Sequence, residues 1–283
     1  MKKLKLFFIL GLILIGTCGC KKEETVETAN IYTTVYPITY IMQKLYGENN
    51  TVASIYPNGV DLTEYNLTEK QISEYSKADM FVFIGLGKEL DIAKSFLNEN
   101  KKLEIIDASY ELSYNHKIEE LWIAPNNFLM LAKTIKTSLN EYIDNGTILE
   151  TIETNYDGIY KDISWMDAEL RNIAKEAEEN ETNTLITSTS VFNYLEKYGF
   201  KIISLENITN DEKSELKSKF KNGTYTSILK LDTEKDTEFI TELKEYDAKV
   251  VNINSMITNE DSTSDYISIQ NENINKIREI VQN

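Results

Sequence analysis

The sequence predicts an α/β protein of two lobes, each a parallel sheet covered by helices, joined by one long rigid helix. Three observations carry that expectation. Short β-branched or apolar runs alternate with helically spaced ones in both halves of the 283 residues, which is the pattern of parallel strands linked by crossover helices. Met80-Phe81-Val82-Phe83-Ile84 is short and continuously apolar, as a strand buried on both faces must be. Between the halves, Ile152, Tyr156, Ile159, Ile163, Met166, Leu170, Ile173 and Ala177 step by three and four residues, the stripe of a single helix.

In the first half, Ile31 to Tyr36 is a β-branched and aromatic strand ended by Pro37. Ile38 to Tyr46 has helical spacing, with Gly47 at its C-terminal end. Val52 to Tyr56 is a second strand, closed by Pro57. Thr68-Glu69-Lys70-Gln71 has the capping-box pattern and opens a helix to about Lys77. After the Met80–Ile84 strand, Gly85-Leu86-Gly87 lacks the third glycine of a dinucleotide fingerprint and reads as a strand-to-helix turn. A helix from Lys88 to Asn98 and a strand from Leu103 to Ile106 complete the half.

The connecting helix, Ile148 to Asn180, would extend about 50 Å at ~1.5 Å per residue. Gly158 weakens it by about 1 kcal/mol relative to alanine. A coiled coil would need a partner for the stripe, whereas one helix packed along both lobes buries it within the chain and makes the lobes hard to hinge. In the second half, strands fall at Thr184–Thr187, Lys201–Leu205, Thr226–Leu231 and Ala248–Ile253, and a last helix runs from about Tyr266 to Val281. The organisation expected is a leader over 1–20, a tether over 21–30, an N-terminal lobe over 31–147, the helix over 148–181 and a C-terminal lobe over 182–283.

Charge and composition narrow the function. The 46 acidic residues outnumber 30 basic ones, a net charge of −16, so nucleic acid is not an expected partner. His116 is the one histidine, and the two cysteines, Cys18 and Cys20, lie near the N-terminus. Disulfide scaffolds, Cys/His zinc knuckles and sites built on two imidazoles are therefore excluded. Lys2, Lys3 and Lys5 precede an apolar run from Leu6 to Ile15, too short to span a bilayer that needs roughly 20 residues. Gly16-Thr17-Cys18-Gly19-Cys20 follows, resembling a bacterial lipobox. Gly19 supplies the small residue before Cys20, the preferred lipidation site, with Cys18 the alternative. The expected location is the extracytoplasmic face of a bacterial membrane, held by a lipid anchor.

Several segments, in order, resemble one family. Thr33-Thr34-Val35-Tyr36-Pro37-Ile38, Pro57-Asn58-Gly59-Val60-Asp61-Leu62-Thr63-Glu64-Tyr65, Lys77-Ala78-Asp79-Met80-Phe81-Val82-Phe83-Ile84-Gly85, Leu121-Trp122-Ile123-Ala124-Pro125-Asn126-Asn127 and Phe192-Asn193-Tyr194-Leu195 are similar to motifs of the substrate-binding lipoproteins of zinc- and manganese-type ABC importers. The resemblance implies a cleft between the lobes, a divalent metal as cargo, no resident cofactor, a membrane permease as partner and no enzymatic activity.

It also implies where metal ligands should stand. The family's histidine positions fall on Thr63 and Glu120, its third ligand near Thr189 and its final aspartate on Asn254. No imidazole remains at any of them. Two hydroxyls, an amide and one carboxylate suit Zn²⁺ and Mn²⁺ poorly, so metal binding is expected to be weak or altered. A rebuilt site could recruit His116, Glu64, Asp61 or Glu119; against that, His116 sits among Tyr114, Asn115 and Lys117 in a polar loop. Asp61, Glu64 and Glu120 as a general acid/base pair lack accompanying machinery. Tyr36, Tyr56 and Tyr65 could line a pocket for an organic ligand, although packing is the preferred reading. Glu176 to Glu181 reads as a solvated helix end, and 257–265 as a surface loop. The alternative function is an adhesin-like surface interaction protein that kept the scaffold and lost its cargo.

Overall fold

Proline both ends strands and opens helices, and at Pro37 the second role decides the structure. In this computed structural model, β1 (Asn30–Thr33) stops at Thr33 rather than Tyr36, and α1 (Tyr36–Tyr46) starts with Pro37 in its first turn, where the missing N–H has no helical partner to lose. The structure describes residues 28–47, 50–60, 62, 64–259 and 263–282. The leader with Cys18 and Cys20, and both Asp61 and Thr63, lie outside the described residues.

The first sheet continues through β2 (Thr51–Ser54), β3 (Met80–Phe83) and β4 (Glu104–Asp107), with α2 (Glu69–Tyr75) and α3 (Glu89–Glu99) between them. Its order is β2-β1-β3-β4, all parallel, with Ile31 opposite Met80 and Phe81 opposite Ile105. All four residues of β3 are buried, as its unbroken apolar run requires. At the start of α2, Thr68 and Gln71 satisfy one another's backbone N–H groups in a complete capping box.

Helices α4 (Glu120–Ile123), α5 (Pro125–Tyr142) and α6 (Gly146–Glu179) follow. The last is the connecting helix, 34 residues long, with Asn145 accepting the N–H groups of Thr147 and Ile148 as its cap. The second sheet repeats the first in topology: β5 (Thr184–Thr187), β6 (Lys201–Ser204), β7 (Ser227–Leu231) and β8 (Lys249–Ile253) lie in the order β6-β5-β7-β8, again parallel. A 3-10 helix (Ser190–Tyr198), α7 (Asn210–Lys221), α8 (Glu238–Lys244) and α9 (Tyr266–Gln282) complete the chain.

The stripe on α6 does what its spacing predicts. Ile152, Ile159, Ile163, Met166, Leu170, Ile173 and Ala177 are buried, in one core cluster that also takes Ile31 and Met80 from the first sheet and Leu185 and Leu229 from the second. Two smaller clusters, around Phe81 and Phe96 and around Ile228 and Leu243, cover the outer faces of the sheets. A core shared by both lobes opposes their separation, because opening would expose apolar surface on each at about 25 cal/mol per Å².

Polar ties reinforce it. The Trp122 indole N–H donates to the Ser255 carbonyl at 2.7 Å. The Tyr266 hydroxyl and Gln270 amide donate to the carbonyls of Trp122 and Ile123 at 2.6 and 2.9 Å. Phe128 stacks on Tyr266 with ring centres 3.8 Å apart. Among the described residues no helix is long and apolar enough to cross a membrane.

Candidate functional site

A cavity of about 1060 Å³ lies between the two lobes, at the ends of their strands. The first lobe contributes the loop around Gly59, Val60 and Leu62, the turn Gly87-Lys88-Glu89, the stretch Lys117–Glu119 and Trp122; the second contributes Leu231 to Glu234, Asn254 and Ser255, and Glu272. C-terminal strand ends are where parallel α/β sheets place their ligands.

The first wall is fixed by its own polar groups. The Gly85 N–H donates to Asp107 Oδ1 at 2.9 Å, and a Cβ at Gly85 would lie 2.0 Å from Asp107 Oδ2, so only glycine lets the turn approach β4. Three residues on, the Lys88 ammonium donates to the carbonyls of Leu62 and Tyr65, the latter at 2.6 Å. It thereby ties Leu62 and Tyr65 to the turn that follows β3. Glu89, buried beside it, accepts the Tyr56 hydroxyl at 3.0 Å. Burial and the Glu89 charge push the Tyr56 hydroxyl far above its ordinary value, so it stays a neutral donor.

The second wall is a turn held from three sides. Asn254 Oδ1 accepts the Met256 N–H at 2.8 Å, its main chain pairs twice with the Asn273 amide, and the Ser255 N–H donates to Asp232 Oδ1 at 3.0 Å. Met256 takes a left-handed backbone, φ 56°, while fully buried. That conformation is uncommon for a non-glycine residue and is held here by the surrounding bonds.

An ion pair joins the two walls of the cleft. The Lys117 ammonium contacts Glu234 Oε1, joining groups 117 residues apart in sequence. Glu234 Oε2 accepts the hydroxyl of buried Ser188, and its main-chain carbonyl accepts Lys230 Nζ at 2.7 Å. Close by, Glu206 accepts the Ser190 N–H at 2.9 Å; that bond, with lesser help from the Lys117 and His116 charges, holds its carboxyl below the usual range.

Of the positions read from the sequence, Asn254 lines the cavity. Glu120 is buried, with Oε2 accepting the N–H groups of Asn115 and His116 at 3.1 and 3.4 Å, and its neighbour Glu119 takes the lining position. Thr189 precedes the 3-10 helix with its hydroxyl buried and without a hydrogen-bond partner. His116 and Glu64 are exposed. The recruited set of His116, Glu64 and Glu120 is not assembled: among the described residues no three His, Cys, Asp or Glu side chains come together to hold a metal ion. One oxygen of the Glu120 carboxylate instead accepts two backbone amides.

Two further expectations gain detail. In the stretch 257–265, read as a surface loop, Ile257, Thr258, Asn259 and Ser264 face the cavity. Its Asn/Ser/Thr composition marks a loop but not the side it faces. Tyr36, Tyr56 and Tyr65 are absent from the lining; Tyr56 packs edge-on against Tyr65 at 5.9 Å. Lys117, Asp232 and Glu234 were not singled out by sequence, because nothing local distinguishes them from other surface charges. The cavity thus carries lysines and carboxylates together, several of them engaged by the protein's own donors.

Comparison with known proteins agrees with this architecture. The zinc-binding lipoprotein AdcA of Streptococcus pneumoniae is 22% identical over 234 residues, which cover 75% of this chain and 45% of that protein. The chain therefore spans less than half the length of that relative. The manganese-binding lipoprotein MntA of Halalkalibacterium halodurans is 22% identical over 224 residues, 75% of this chain and 73% of that protein. The crystal structure of the Zn(II)-bound ZnuA-like domain of S. pneumoniae AdcA superposes with a TM-score of 0.72 at 22% identity, covering 91% of this chain and 100% of that one. The profile described as "ZnuA: Zinc-uptake complex component A periplasmic" matches residues 31–280. With two matching parallel sheets around a connecting helix and a cleft between them, the chain belongs to this family of periplasmic metal-uptake binding components, which are not enzymes.

Proposed function

We propose that the chain is the extracytoplasmic substrate-binding component of an ABC importer, anchored through a lipid on Cys20, and that its cleft holds Zn²⁺ and Mn²⁺ weakly. Both lobes would dock on a membrane permease after the cleft has captured cargo. Family membership and the names of the zinc- and manganese-binding relatives support the transport role. The lipobox-like Gly19-Cys20 supports the anchor.

The observation that carries the weak-metal reading is the donor set. Thr63, Glu120, Thr189 and Asn254 hold no imidazole and one carboxylate, and that carboxylate and the Asn254 amide oxygen already accept backbone N–H groups. Zn²⁺ prefers thiolate or imidazole, and Mn²⁺ needs several charged oxygens. Turning the Asn254 amide oxygen away from Met256 would leave a buried N–H unpaired at about 1–3 kcal/mol. Mass and elemental analysis of protein purified from membranes without chelator test both parts. A diacylglyceryl group on Cys20 and substoichiometric zinc and manganese are expected. An unmodified Cys20 would contradict the anchor, and one metal per chain would contradict the cleft.

A further inference from the structure

Lys117 stands where a metal-carrying cleft would want no positive charge. Its ammonium reaches from the stretch before α4 in one lobe to Glu234, after β7 in the other, and both residues line the cavity. The pair is shielded, with side-chain exposures of 34% for Lys117 and 14% for Glu234, so solvent screens it less than an ordinary surface pair.

Glu234 is also aimed. Ser188 holds its second carboxylate oxygen and Lys230, itself paired with Asp236 at 2.8 Å, holds its backbone. The carboxylate therefore has a fixed direction, and the lysine ammonium is the group placed to meet it. Glu119, from the first lobe, and Asp232, from the second, line the same cavity.

Resting on the weak-metal reading, we propose that Lys117 adds to it: its tethered ammonium bridges the lobes at the cavity and, by its charge and by occupying Glu234, disfavours divalent cations there. A divalent ion near this ammonium meets a repulsion that grows with its double charge and is weakly screened in a cleft. The pairing simultaneously engages Glu234, a carboxylate held in a fixed direction by Ser188.

Calorimetric titration of the purified protein and three variants with Zn²⁺ and with Mn²⁺ tests this. Lys117→Arg keeps the charge and should bind as weakly as the unsubstituted chain. Lys117→Gln removes it, leaves Glu234 on Ser188, and should bind at least one of the metals tenfold or more tighter. Lys117→Glu, with one more carboxylate, should gain further. Because the side chain is a third exposed, none of these is expected to unfold the protein; if the Gln variant does, the Glu variant carries the comparison. Gln and Glu variants no tighter than the Arg variant would overturn this inference while leaving the weak-metal reading intact. Submicromolar binding by the unsubstituted chain would overturn both.

Discussion

Asp167, on the connecting helix, shows how one carboxylate ties two elements together. It accepts the Tyr198 hydroxyl at 2.8 Å and Arg171 Nε at 3.1 Å, with Lys197 at 3.6 Å, and so pins the 3-10 helix that begins after Thr189. Burial acts to raise its carboxyl, but the bonds from Tyr198 and Arg171 and the two positive charges outweigh it and hold the group below its usual value. A carboxyl lowered in the folded state stabilises the protein above its unfolded pKa of about 4, and that contribution is lost as pH falls through the lower folded value. Asp167→Asn should therefore be less stable than the parent at pH 7, with the gap narrowing below about pH 4. Urea unfolding midpoints at pH 7 and at acid pH measure this; a gap independent of pH would contradict it. The same scale holds the least legible features. Nothing near Lys117 or Glu234 in sequence distinguishes them from the other charges of a strongly acidic chain, since their meaning arises only when the fold brings residues 117 apart together.

At the level of elements, local signals were readable and boundaries were not always. The capping box at Thr68, the strand Thr184–Thr187 and the stripe from Ile152 to Ala177 each carry their pattern within a few residues, and each stands in the structure where the pattern puts it. The edge at Pro37 moved because proline suits a helix's first turn as well as a strand's end. The surface loop read at 257–265 turns Ile257, Thr258, Asn259 and Ser264 towards the cavity, a side that turn chemistry does not specify. Gly158 offers a test of the connecting helix. It is exposed in the middle of α6, and an added Cβ meets nothing within 4 Å. Gly158→Ala should stabilise the protein by about 1 kcal/mol through helix propensity and a less free unfolded chain. It should appear as a higher urea midpoint with unchanged slope; a lower midpoint would mean that the helix needs the glycine.

The whole molecule is two copies of one sheet topology clasped to a single helix and to each other. The shared core, the Trp122 and Tyr266 ties and the Lys117–Glu234 pair all cross between the lobes. This arrangement favours small adjustments around the cleft over wide hinge opening. The scaffold was legible because a parallel α/β fold writes itself in alternating short runs. The proposed cargo site was legible only as a set of departures: threonines, a glutamate and an asparagine at positions where the family resemblance implies stronger ligands. The structure adds that two of these donors already serve the protein's own backbone and that a lysine spans the gap. The most direct test is calorimetric titration of Zn²⁺ into the purified, chelator-free protein. The account predicts no binding in the submicromolar range, and a stoichiometric submicromolar isotherm would contradict it.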